Sequence, residues 1–140
     1  MTMSEQVTAY KEDLELFGSE NEKMEYILDF GHDAPTIEPE CKTEENIIKG
    51  CSSLAWLHKE FVDGKIVLEA EGDSVVAKGM LVMLLGIFNN RTPDEVLAFD
   101  PNELKEMGLM ELLSPVRQQG LEAFLGVIYG YAKECKEHKR

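Results

Sequence analysis

Between Leu54 and Glu71 the apolar pattern changes period, and that change limits the folds open to the chain. Leu54 to Val62 is rich in large apolar residues. Asp63-Gly64 follows, a strong two-residue hairpin signal because both central positions of such a turn need a positive φ. Ile66, Leu68 and Ala70 then alternate with Lys65, Glu69 and Glu71, apart from Val67. Successive strand side chains point to opposite faces, so this segment reads as a strand with one buried and one wet face. Ile47-Ile48 is a short apolar pair suited to an edge strand, and Gly50-Cys51-Ser52-Ser53 between them has turn composition. The expected sheet is a three-stranded antiparallel meander with Cys51 at the tip of its first turn.

Helical spacing governs both flanks. Ser4 to Phe17 reads as a helix through Val7, Tyr10, Leu14 and Phe17, ended by Gly18. Ser19-Glu20-Asn21-Glu22 is a capping-box pattern that opens a second helix. Its stripe is Met24, Ile27 and Leu28, and Gly31 is its expected stop. Residues 32–45 carry Pro35 and Pro39 among polar residues and are expected to form an irregular surface connection. After Asp73-Ser74, Val75 to Phe88 is apolar nearly all round, the mark of a central buried helix. Thr92-Pro93-Asp94-Glu95 is a helix start with Pro at the first position, and Asp100-Pro101-Asn102-Glu103 repeats it. Ser114-Pro115 opens the last helix, in which Leu121, Phe124, Leu125, Ile128 and Ala132 share a face. The fold class is α+β: a small three-stranded antiparallel sheet packed against a layer of helices.

The chain has 140 residues, one domain's worth, with no repeat, linker or low-complexity segment. Its net charge is −13, and residues 1–45 hold 13 acidic and 3 basic side chains, a net of −10. That balance argues against nucleic acid and anionic membranes, whose affinity for proteins comes from Lys and Arg. The acidic segment reads either as a solvated face or as a surface that orients a basic partner. Met80 to Phe88 is the longest apolar stretch, and its 9 residues fall short of the ~20 that span a bilayer. The first residues lack a basic flank before an apolar block, so no secretory signal is expected. A cytoplasmic protein with three free thiols is expected.

No phosphate loop, dinucleotide fingerprint, zinc-protease helix or nucleophile elbow is present. Cys51 stands out by its setting. Gly50 removes a side chain beside the sulfur, and Lys49 adds positive charge that favours a thiolate. The plainer reading is a small buried hydrophobe. Cys41 lies in the Pro-containing connection and Cys135 in a frayed last helical turn. Cys41 and Cys51 with His32 or His58 match no zinc-knuckle spacing, so no metal site is expected. Arg117 sits in the first turn of the last helix, where the macrodipole disfavours a cation. It reads either as a salt bridge or as a group that meets a developing negative charge.

Thr43-Glu44-Glu45-Asn46, Lys49-Gly50-Cys51, Ser53 and Trp56-Leu57 together resemble the signature of the SufE family. Gly72-Asp73-Ser74, Lys78-Gly79, Thr92-Pro93, Phe99-Asp100, Leu113-Ser114-Pro115, Arg117 and Gly120-Leu121 follow in the family's order. The resemblance runs from about residue 12 to about residue 130. This chain departs from it in having only Val75-Val76-Ala77 between the Gly-Asp-Ser and Lys-Gly blocks, in Cys41, and in Ser52 after Cys51.

The resemblance implies a SufE/NifU-like fold and a sulfur acceptor that serves a cysteine desulfurase in iron–sulfur cluster assembly. It implies that Cys51 carries sulfur as a persulfide, with Lys49, Gly50, Asp73 and Arg117 in supporting or docking roles. Pyridoxal phosphate would belong to the partner enzyme, so this chain needs no cofactor and is an accessory protein rather than an enzyme. The implied partners are the desulfurase and a downstream cluster scaffold, with the chain itself a monomer or weak homodimer. Two other readings stay open: a cluster scaffold of similar fold, and a thiol hydrolase in which His58 would serve Cys51.

Overall fold

The computed structural model describes residues 1–34, 36–48, 55–108 and 112–138, with side chains for all of these but Val116, Arg117 and His138. In chain order the elements are α1 (Met3–Glu15), α2 (Glu20–His32), two 3-10 turns at Pro39–Cys41 and Glu44–Asn46, β1 (Ala55–Val62), β2 (Lys65–Gly72), α3 (Val75–Phe88), α4 (Pro93–Ala98), α5 (Asn102–Lys105) and α6 (Pro115–His138).

The hairpin forms where the sequence places it. Asp63 and Gly64 take φ of 51° and 80°, and Val62 pairs with Lys65. The register puts Ala55, Leu57, Lys59 and Phe61 on one face with Gly72, Ala70, Leu68 and Ile66. This inner face meets the core through Leu57, Ile66 and Leu68, each no more than 2% exposed. The free edge of β2 is closed by the turn after α3. There Ile66 N–H donates to Arg91 O (2.8 Å) and Leu68 N–H to Asn89 Oδ1 (2.8 Å), which leaves less of that edge open to stray pairing.

The expected third strand is not formed by the described residues, whose sheet has two strands. Ile47 makes only an isolated antiparallel bridge to Trp56. The reason is local: the Glu44–Asn46 3-10 turn runs up to Ile47, so only Ile47 and Ile48 are extended before residue 49. The first turn of the meander, residues 50–53, lies outside the described residues, as does Leu54 at the expected start of β1.

α3 is the central helix. Ser74 Oγ accepts the Ala77 N–H (3.2 Å), fixing its start despite the shortened segment before Lys78. Met83, Ile87 and Phe88 on it are fully buried, and Phe88 stacks edge-on with Phe99 and with Phe124 and Tyr129 of α6. Gly31 is not the stop of α2, which continues through His32. It is buried against α3, where a Cβ would collide with the Val75 carbonyl, and Gly79 is pressed in turn on the Ile27 carbonyl. These two glycines let the backbones of α2 and α3 approach closely.

The expected helix starts hold with differences of detail. Thr92 and Glu95 form a reciprocal capping box on α4, as do Thr2 and Glu5 on α1. Ser19 caps α2 through the Glu22 N–H (3.2 Å), but its hydroxyl, rather than its backbone N–H, meets the Glu22 carboxylate. At Asp100 the device is not repeated: its carboxylate accepts the Asn102 N–H (2.9 Å) in a short turn, and α5 has four residues and no side-chain cap. α1 ends at Glu15, short of the expected Phe17. Cys135 is not in a frayed turn, because α6 runs on to His138 and leaves this thiol 7% exposed.

Candidate functional site

Lys49, Gly50 and Cys51 lie outside the described residues, and so does the side chain of Arg117, whose backbone stands in the first turn of α6. The structure does describe the frame on which residues 49–54 begin and end. Ile48 N–H donates to Ala55 O (2.9 Å), tying the two flanks of the segment together. Ala55 is paired with Gly72 at the same end of the hairpin. Asp73 therefore follows directly at the base of the Cys51 segment, exposed, just before the cap of α3.

The outer face of the hairpin carries Trp56 opposite Glu71 and His58 opposite Glu69. Alternation alone makes this the wet face, yet Glu71 is only 9% exposed, the one buried charged side chain among the described residues. The connection before residue 47 covers it. Glu71 accepts the Ile37 N–H (3.0 Å) and forms an ion pair with Lys42, whose ammonium also lies 5.1 Å from the centre of the Trp56 ring. The Lys42 contact holds the Glu71 carboxyl below its ordinary range against the opposing effect of burial, helped by the Ile37 N–H. An ionised acid with its charge and one oxygen satisfied in this way is compatible with burial.

A second clasp lies beside the first. Asn46 Nδ2 donates to Cys41 O (2.7 Å) and stands 3.5 Å from His58 Nδ1. His58 Nε2 lies 2.9 Å from Glu60 Oε1. Both ring nitrogens of His58 thus face partners on the outer face. His32 stands elsewhere, exposed as the last residue of α2.

The surroundings of both described thiols disfavour the thiolate. Partial burial, then Glu69, Glu40, Glu38 and Glu60, push the Cys41 thiol above its ordinary value. Burial raises Cys135 as well, against a lowering hydrogen bond from Tyr131. No group of three or more His, Cys, Asp or Glu suited to a metal occurs among the described residues. No helix there is long and apolar enough to cross a membrane.

Of the residues singled out in the sequence, the structure brings Asp73 to the base of the Cys51 segment. It adds two that alternation and composition missed, Glu71 and Lys42. The available signal was Lys42 itself, the only Lys or Arg between Lys23 and Lys49 in an otherwise acidic stretch.

A solution structure of a hypothetical protein from Thermus thermophilus shares this architecture, with a TM-score of 0.77 over 94% of this chain and 96% of that one. At 19% identity the likeness concerns the fold. A family model described as "SufE: Fe-S metabolism associated domain" matches residues 8–132. That span includes the hairpin, both clasps, Asp73, Arg117 and the Lys49-Gly50-Cys51 block. The chain belongs to the SufE family, whose domain is associated with iron–sulfur metabolism.

Proposed function

We propose that this protein accepts sulfur from a pyridoxal-phosphate-dependent cysteine desulfurase on Cys51 and passes it to iron–sulfur cluster assembly. The observation that carries the reading is the family match over residues 8–132, with Cys51 the one cysteine in the Lys-Gly-Cys block. The desulfurase supplies the chemistry of its own cofactor and presents sulfur as a persulfide. The Cys51 thiolate attacks the outer sulfur atom, forming a new S–S bond. The old S–S bond breaks and the partner's cysteine leaves as a thiolate. The sulfur stays at the same oxidation level, so this exchange needs no oxidant or reductant.

Cys51 is the nucleophile in this account because Lys49 supplies positive charge beside it, whereas Cys41 stands among four glutamates that disfavour its thiolate. The hairpin and its cover supply a rigid base for a segment that must meet another protein. Asp73, Lys49, Gly50 and Arg117 are assigned supporting or docking roles. The protein works as an accessory factor in the cytoplasm, as a monomer or weak homodimer, and hands its sulfur to a cluster scaffold.

Intact-mass spectrometry after incubation with a cysteine desulfurase and free cysteine tests the proposal. One added sulfur, about 32 Da, is expected on the wild type and none on Cys51→Ser, with loss of desulfurase stimulation in the variant. Sulfur uptake undiminished in Cys51→Ser would contradict it.

A further inference from the structure

We infer that Glu71 is a positioning residue for sulfur acceptance, acting through Lys42 and Ile37 to fix the chain that leads into the Cys51 segment. The inference rests on the function proposed above and assigns part of its machinery to a residue far from the Lys-Gly-Cys block in sequence.

Three observations carry it. Glu71 is buried on a face that its strand pattern makes wet, and it is buried by the connection rather than by the core. Its partners, Ile37 and Lys42, lie on the stretch that runs through Asn46 to Ile47 and Ile48, the last described residues before Lys49. Its position is in register with the frame: Glu71 pairs with Trp56, next to the Ala55–Gly72 pair, and Ile47 bridges that same Trp56. One carboxylate therefore fastens the connection that leads to Ile47 and Ile48 onto the end of β2, beside Trp56 of β1. Lys42 closes this join, since it bonds the acid and lies over the indole. Without the acid, the amide of Ile37 and the ammonium of Lys42 lose their shared acceptor, and the approach to residue 49 keeps the Asn46 hydrogen bond, the Ile47–Trp56 bridge and the Ile48–Ala55 bond but loses its anchor on β2.

Transfer between two proteins depends on presenting the thiol at a fixed place, and small misplacements lower the rate steeply. Modification by a small soluble reagent has no such demand. The two reactions together separate positioning from thiol chemistry and from folding.

The experiment uses the full chain as wild type, Glu71→Gln, Glu71→Ala, Lys42→Ala and Lys42→Arg, all held well below their melting temperatures. It measures the initial rate of sulfur transfer from a cysteine desulfurase and the rate of Cys51 alkylation by iodoacetamide. Expected are a transfer rate about 10-fold lower in Glu71→Ala and Lys42→Ala, a smaller loss in Glu71→Gln, which keeps an acceptor for Ile37, and near wild-type transfer in Lys42→Arg, which keeps the cation over Trp56. Cys51 alkylation should stay within about three-fold of wild type throughout, since it needs no docking. Equal transfer in wild type and folded Glu71→Ala overturns the inference and leaves the proposed function standing. A parallel fall in alkylation and transfer also overturns it, because the acid would then govern the thiol rather than its placement. A wild type that takes no sulfur overturns the proposed function, and this inference with it.

Discussion

A cation in the first turn of a helix faces the positive end of the macrodipole, at a cost of about 0.3–1 kcal/mol. Arg117 is the third residue of α6, the position to which that argument applies. If it docks the desulfurase or steadies a leaving thiolate, Arg117→Ala lowers desulfurase stimulation several-fold while the melting temperature holds or rises slightly. Arg117→Lys then rescues incompletely, because lysine keeps the charge but not the planar fork. A variant that melts early but takes up sulfur normally per folded molecule would make the residue structural. Single residues were unevenly legible in the sequence. The cap Thr92 could be read because its partner Glu95 lies three positions on, whereas Asp73 was marked only by its place in the family's order of motifs. The Glu71–Lys42 contact joins residues 29 positions apart, and no local pattern encodes it. Cys135 differs from its expectation for a related reason: charged neighbours suggest fraying, while its burial depends on how α6 packs on the rest of the molecule.

Among the elements, those with a strong period and a punctuating turn were legible. The hairpin, α3 and α6 follow from alternation, Asp63-Gly64 and helical stripes. The third strand failed because two apolar residues are too short a pattern to tell a strand from an isolated bridge. Gly31 failed for a different reason. Glycine after a helical stripe usually marks a stop, but it also permits close helix approach, and only the tertiary structure distinguishes the two. That close approach is testable. Gly79→Ala forces a methyl group against the Ile27 carbonyl and should destabilise the fold by about 1–3 kcal/mol in urea unfolding. Sulfur uptake per folded molecule should be unchanged. Gly126→Ala, at an exposed site with nothing near the added carbon, is the matched control and should not destabilise. Equal stability of the two variants would mean that the α2–α3 contact is looser than described.

At the scale of the whole molecule, the excess of acid makes stability sensitive to pH in a defined direction. Glu71 is held below its ordinary value chiefly by Lys42, and Glu95 and Glu5 by the backbone N–H groups of their capping boxes. A carboxyl with a lowered folded pKa adds stability that is present above its unfolded value, about 4.3, and lost as pH falls through the folded value. Wild type should therefore lose melting temperature below about pH 4.3 more steeply than Glu71→Gln, and the two curves should converge in acid. Curves that stay parallel throughout would show that Lys42 adds nothing to the ionised acid. Residues 1–45, which hold α1, α2 and most of the cover over the sheet, carry −10 of the net charge of −13.

The central claim is that sulfur lands on Cys51. Its most direct test is peptide mapping after incubation with a cysteine desulfurase and cysteine, with the persulfide trapped by alkylation before digestion. The account predicts the added sulfur on the peptide that contains Cys51, and only background on those that contain Cys41 and Cys135. Sulfur found on Cys41 while Cys51 stays a free thiol would contradict it.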